Sequence, residues 1–108
     1  MKIPDKLKIG GHRYTVKFPY IFKERVDCFG QCDSSVKEIR IAEVDSGGNV
    51  RPDSAILVDL IHEIFHSVDY NSGHKVFIGE EGEKRCVALS EGFYQVLSDN
   101  DLDFRNKN

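Results

Sequence analysis

The run His62-Glu63-Ile64-Phe65-His66 constrains this chain more than any other feature. It is an HExxH pattern inside an apolar stretch that extends from Leu60 to Val68. On a helix, residues four apart share a face, so both imidazoles can reach one metal ion. Glu63 sits beside them, where it can take a proton from a metal-bound water. On a helical wheel, Leu57, Leu60, Ile61, Ile64, Phe65 and Val68 cover most of the circumference. The remaining stripe carries Asp59, His62, Glu63, His66, Asp69 and Tyr70. A solvated stripe is usually rich in Lys and Glu; this one holds two His and no Lys, which favours a metal site.

The 108 residues suit a single domain, 1–108, with a modest core. The net charge of −3 gives no broad basic surface, so no nucleic-acid partner is expected. Met1-Lys2-Ile3-Pro4-Asp5-Lys6 lacks the apolar core of a signal peptide. The longest aliphatic run, Ala55-Ile56-Leu57-Val58, is far too short to span a bilayer, so no membrane is expected either. Three cysteines, an odd number, fit a reducing cytoplasm better than a disulfide framework.

The first half reads as strands. Lys8-Ile9 leads through Gly10-Gly11 into His12–Phe18, and Pro19 ends that strand. Cys28–Cys32 is a short piece able to pair with its neighbours, and a further strand is expected over Val36–Ala42. Pro52-Asp53-Ser54 then opens a helix, with Asp53 or Ser54 as cap, that stops near Asn71-Ser72-Gly73. A second helix is expected to begin within Glu80–Lys84 and to end near Leu97, with Cys86, Leu89, Phe93, Val96 and Leu97 as its apolar positions. The polar tail 98–108 is expected to fray.

Two histidines do not complete a catalytic zinc site; a third protein ligand is needed. The second helix is its natural source. Glu83 lies at the edge of the apolar face, followed in order of preference by Glu91, Cys86 and Glu80. His74 lies eight residues after His66, whereas the long HExxHxxGxxH form spaces its third His by six. Position 69 is Asp rather than Gly, so that form's early turn is not expected. Asp59 and Asp69 are placed either to orient the imidazoles or simply to sit on the helix surface. Tyr70 and Tyr94 are candidates for polarising a substrate carbonyl or for packing. Cys28 and Cys32 read as hairpin or core thiols rather than as a metal clip.

The order of a short β-rich half, an HExxH helix, and a helix ending Glu91-Gly92-Phe93-Tyr94-Gln95-Val96-Leu97-Ser98-Asp99-Asn100 resembles the small zincin-like metallopeptidases of phages and prophages, relatives of the ImmA/IrrE group. The resemblance runs from about Ile9 to Asn100. It implies His62 and His66 as zinc ligands, Glu63 as general base, and an acidic third ligand on the last helix. Relatives carry Glu at the position of Val87, so Glu83, one turn earlier, is the implied substitute. Larger relatives cleave repressor proteins, which implies a protein or peptide substrate such as a repressor-like regulator.

The expected fold is therefore α+β, a minimal zincin with a small, mostly antiparallel sheet packed on two helices. The expected function is peptide-bond hydrolysis with one Zn2+ per chain, and the strand Val36–Ala42 is expected to border the cleft. The rival is a non-catalytic zinc-binding module of a mobile element. The carboxylate of Glu63 argues against that rival, and the small size of the chain argues for it.

Overall fold

The structure is a computed structural model, and it describes residues 1–23 and 28–102. Four strands come first: β1 (Lys6–Ile9), β2 (His12–Lys17), β3 (Gly30–Asp33) and β4 (Glu38–Ile41). Two helices follow, α1 (Asp53–Ser72) and α2 (Gly79–Asp99). The strand order is β1-β2-β4-β3. The β1–β2 and β3–β4 pairs are antiparallel and β2–β4 is parallel, so the sheet is mixed. The class is α+β, as the sequence led us to expect.

Alternation builds the sheet. In β2, Tyr14 and Val16 are buried while Arg13, Thr15 and Lys17 are exposed. The register sets Val16 beside Ile39, and Ile39 beside Cys32, on the inner face. Tyr14, Val16, Ile39 and Ile41 meet Ile56 and Leu60 of α1 in the core. Fully burying an aliphatic side chain of this size contributes about 1.5–3 kcal/mol. That burial, rather than helix propensity, holds α1 on the sheet.

α1 begins at Asp53 after Pro52, and no side chain caps it, contrary to the expected Asp53 or Ser54 cap. Proline suits this position because its φ is already fixed and it has no N–H to satisfy. The helix ends where expected. Gly73 takes a left-handed φ of 78°, and its N–H bonds the Asp69 carbonyl at 3.1 Å.

The second helix is longer than expected at both ends, and the residues 98 and 99 assigned to the tail belong to it. Residues 103–108 of that tail lie outside the described residues. Its packing also corrects the sequence reading. α2 packs on α1 and touches no strand, so only one narrow stripe is covered: Gly82, Cys86 and Ser90. Leu89, Phe93 and Val96, expected in the core, are 54%, 45% and 46% exposed. Small residues let the two helices approach closely; Phe93 still lays its ring 5.8 Å from that of Phe65 on α1, while Leu89 and Val96 stay largely exposed. The layers thus run sheet, α1, α2. No helix among the described residues is long and apolar enough to cross a membrane.

Candidate metal centre

α1 presents its polar stripe to a cleft of about 540 Å3 bounded by β3 on one side and the start of α2 on the other. The expectation that the strand Val36–Ala42 would border this cleft is corrected. β4 is an interior strand, paired on both sides, and β3 is the edge strand that lines the opening. The reason is topological. The parallel β2–β4 pairing carries β4 inward and leaves the short Gly30–Asp33 segment outermost.

His62, His66 and Glu83 converge in the cleft. The two Nε2 atoms lie 3.1 Å apart. One Glu83 oxygen is 2.6 Å from His62 Nε2, and the other is 3.0 Å from His66 Nε2. A tetrahedral ion with bonds near 2.0–2.1 Å separates its donor atoms by about 3.3 Å. The three observed separations are shorter than that edge, and Glu83 meets each imidazole through a different oxygen, so the side chains face one another at hydrogen-bond distances and would open to admit an ion. Two imidazoles and one carboxylate also leave a fourth position free for water or substrate.

Cys86 is the other third donor within reach. Its Sγ and one ligand atom each from His62 and His66 all lie within 4.8 Å of one another. Two observations rank it behind Glu83. Burial, with the nearby Glu83, Glu63 and Asp69 charges adding, pushes its thiol up to about 12 even against the Ser90 hydrogen bond. The thiol also donates to the His62 carbonyl at 3.6 Å, and Cys86 is not among the residues that line the cleft. The remaining candidates lie elsewhere. Glu91 is exposed, Glu80 pairs with Lys84 at 4.0 Å, and His74 is exposed in the connection between the helices.

Glu63 lines the same cleft and is only 8% exposed. Burial raises its carboxyl to about 8, and the negative charges of Glu83 and Asp59 add to the effect. Gly30 makes room for it: a Cβ there would meet the Glu63 Oε2 at 2.9 Å. Below Glu63, Ser67 is fully buried and donates to the Glu63 carbonyl at 2.9 Å. Its Oγ lies 2.9 Å from Cys32 Sγ. Cys32 thus ties β3 to α1. Cys28 donates to the Gly30 carbonyl at 3.2 Å, and both thiols are free.

The two aspartates flanking the histidines have other partners. Asp59 pairs with Arg51, whose guanidinium also bonds the Ala42 carbonyl and lies over the Phe29 ring at 4.5 Å. Asp69 accepts the backbone N–H groups of Val76 and Phe77 at 2.8 and 2.9 Å. Burial acts to raise its pKa, but those two bonds and the His66 and His74 charges outweigh it and lower the value. Asp69 therefore fixes the chain that leads into α2. There Gly82 sits so close to Phe77 that a Cβ would meet the Phe77 carbonyl carbon at 2.4 Å. This contact sets the height at which Glu83 enters the cleft. Tyr70 lines the cleft, whereas Tyr94 does not.

Sequence reasoning missed Gly30, Arg51 and Gly82. Each acts through a neighbour far along the chain or across a turn, and no spacing rule marks it. No family model matches the chain, and neither a curated protein nor a solved structure matches it.

Proposed function

We propose that this chain is a zinc-dependent peptidase of minimal zincin type, working in a reducing cytoplasm on a protein or peptide. The observation that carries the reading is the convergence of His62, His66 and Glu83, with donor atoms 2.6–3.1 Å apart, beside the buried carboxyl of Glu63. His62, His66 and Glu83 would hold the ion. A bound zinc supplies a Lewis acid that polarises a carbonyl and acidifies water.

Glu63 supplies the proton chemistry. From its place in the cleft it can take a proton from the attacking water and pass it to the leaving amine. Gly30 keeps the carboxyl at the cleft wall. β3, the edge strand at the opening, offers backbone groups to an extended peptide lying along it. A base that is buried at the donor set, and given room by a glycine, favours hydrolysis over a purely structural zinc module.

Glu63→Gln tests the reading. The variant should keep zinc and fold while losing hydrolysis of a casein or mixed-peptide substrate that the parent cleaves. Loss of zinc in this variant would reassign Glu63 as a ligand. Unchanged hydrolysis would remove it from the chemistry.

A further inference from the structure

α2 leaves its larger apolar side chains largely uncovered. The stripe buried on α1 is Gly82, Cys86 and Ser90, whereas Leu89, Phe93 and Val96 are about half exposed. Phe93 rests near Phe65 of α1, with 5.8 Å between ring centroids. Val68, one turn on from Phe65, is also about half exposed and widens the face across the helix joint. Apolar side chains exposed singly are ordinary, but several on one face mark a contact surface. None of these residues lines the cleft.

The spacing and charge of α2 say what fits this face. Arg85, Leu89, Gly92, Val96 and Asp99 follow one another at intervals of four, three, four and three residues, the seam of two paired helices. Gly92 is the midpoint, and a Cβ there would meet nothing within 4 Å, so the seam is open at its centre. Arg85 and Asp99 stand equally far to either side, about 21 Å apart along the helix. The two ends therefore carry opposite charge. Two copies laid antiparallel put Arg85 of each beside Asp99 of the other, with Leu89 close to Val96. Laid parallel, they would put like charges together.

Both end groups keep capacity for such a contact. Arg85 gives Nη1 to the Val76 carbonyl at 3.1 Å, which leaves the other guanidinium donors. Asp99 accepts the Gln95 amide on Oδ2 at 2.7 Å, which leaves Oδ1. Glu81, a further carboxylate near this side, is answered by Lys84 at 3.4 Å.

We propose that this face pairs with the same face of a second copy, α2 against α2, antiparallel about a two-fold axis at Gly92. Pairing of this kind uses one patch twice. It covers the outer side of α2 and involves no residue that lines the cleft. The inference needs neither the metal nor hydrolysis, so it stands apart from the peptidase reading.

Sedimentation equilibrium of the full, tag-free chain from about 5 μM to about 1 mM reads the association. The expected result is a monomer–dimer equilibrium with a dissociation constant on the order of 10–100 μM, in keeping with an interface at the small end of the size range. Leu89→Glu and Val96→Glu place a charge on exposed helix positions, where loss of fold is not the expected outcome, and circular dichroism checks it. Each should weaken pairing at least tenfold. Arg85→Glu or Asp99→Arg alone should weaken it about fivefold, and the two together should restore it. Restoration requires that unlike ends meet, which a purely structural role for either residue would not produce.

A chain that stays monomeric up to about 1 mM overturns the proposal and leaves the face to a protein of another sequence. So does a dimer unmoved by both Leu89→Glu and Val96→Glu, or a charge-swapped chain that pairs no better than its single variants. Zinc content of the same samples keeps the two readings apart. A dimer without zinc sinks the peptidase and keeps the pairing, whereas zinc in a strict monomer does the reverse.

Discussion

Glu63 is a carboxyl held in a nearly dry position, and its titration has a measurable consequence. Its value rises from an ordinary 4.5 to about 8 on folding, chiefly through burial. Between those values the folded, metal-free chain binds more protons than the unfolded one. Stability should therefore fall as pH climbs from about 4.5 to about 8, by on the order of a few kcal/mol in total. Denaturant midpoints of chelator-treated protein near pH 5 and near pH 8 check this, and Glu63→Gln should flatten the difference. A parent protein equally stable at both would show that the carboxyl is better solvated than its burial indicates. Gly30 is the companion case. Gly30→Ala puts a methyl 2.9 Å from the Glu63 Oε2, which must then turn aside. Hydrolysis should drop at least tenfold with zinc content unchanged, since Gly30 supplies no ligand. An unaltered rate in this variant would show that the position of Glu63 is not fixed from β3.

At the scale of elements, the joint between the helices decides whether the site assembles. His62 and His66 come from α1 and Glu83 from α2, so their meeting depends on how α2 leaves the turn. Gly82 and Gly92 form a matched pair for testing it. A methyl at Gly82 runs into the Phe77 backbone, whereas at Gly92 nothing lies within 4 Å. Gly82→Ala should cost about 1–3 kcal/mol through overpacking and should weaken zinc retention. Gly92→Ala should stabilise by about 0.5–1 kcal/mol, because alanine is the better helix former. Thermal unfolding of the two variants provides the comparison. Equal effects would mean that the turn tolerates more movement than the contact with Phe77 allows.

The same scale explains what could be read from the sequence and what could not. Both helices and the position of Glu83 beside the covered stripe of α2 follow from local periodicity, which records which residues share a face, and the Gly73 stop follows from glycine's tolerance of a left-handed φ. The exposed Leu89, Phe93 and Val96 do not, because periodicity cannot say which face meets a neighbour. The contact stripe of α2 is small and weakly apolar: Gly82, Cys86 and Ser90. The edge position of β3 escaped for a related reason. Its four residues, Gly-Gln-Cys-Asp, carry no alternation, and the sheet order depends on a parallel pairing between distant segments. Asp69 looked like a partner for an imidazole because of its phase on the helix, but the turn that it actually holds lies eight residues on.

For the molecule as a whole, the layered order makes α2 the least anchored element. Of the strands and helices it touches α1 alone, and His62, His66 and Glu83 meet across that one interface. A ligand that binds only the folded arrangement stabilises it by mass action. Zinc removal should therefore loosen α2 before the sheet. Hydrogen exchange after chelation should rise across Gly79–Asp99 while β2 and β4, which carry the buried Tyr14, Val16, Ile39 and Ile41, stay protected. Uniform change across the chain, or none, would separate metal binding from the helix–helix joint.

The claim on which the rest depends is that His62, His66 and Glu83 together hold one zinc ion. Elemental analysis of purified protein, after removal of any affinity tag, tests it most directly. The account predicts close to one zinc per chain, its loss in His62→Ala, and at least tenfold weaker retention in Glu83→Ala, with Cys86→Ala near the parent value. A parent chain without zinc, whose stability is indifferent to chelator, would contradict it.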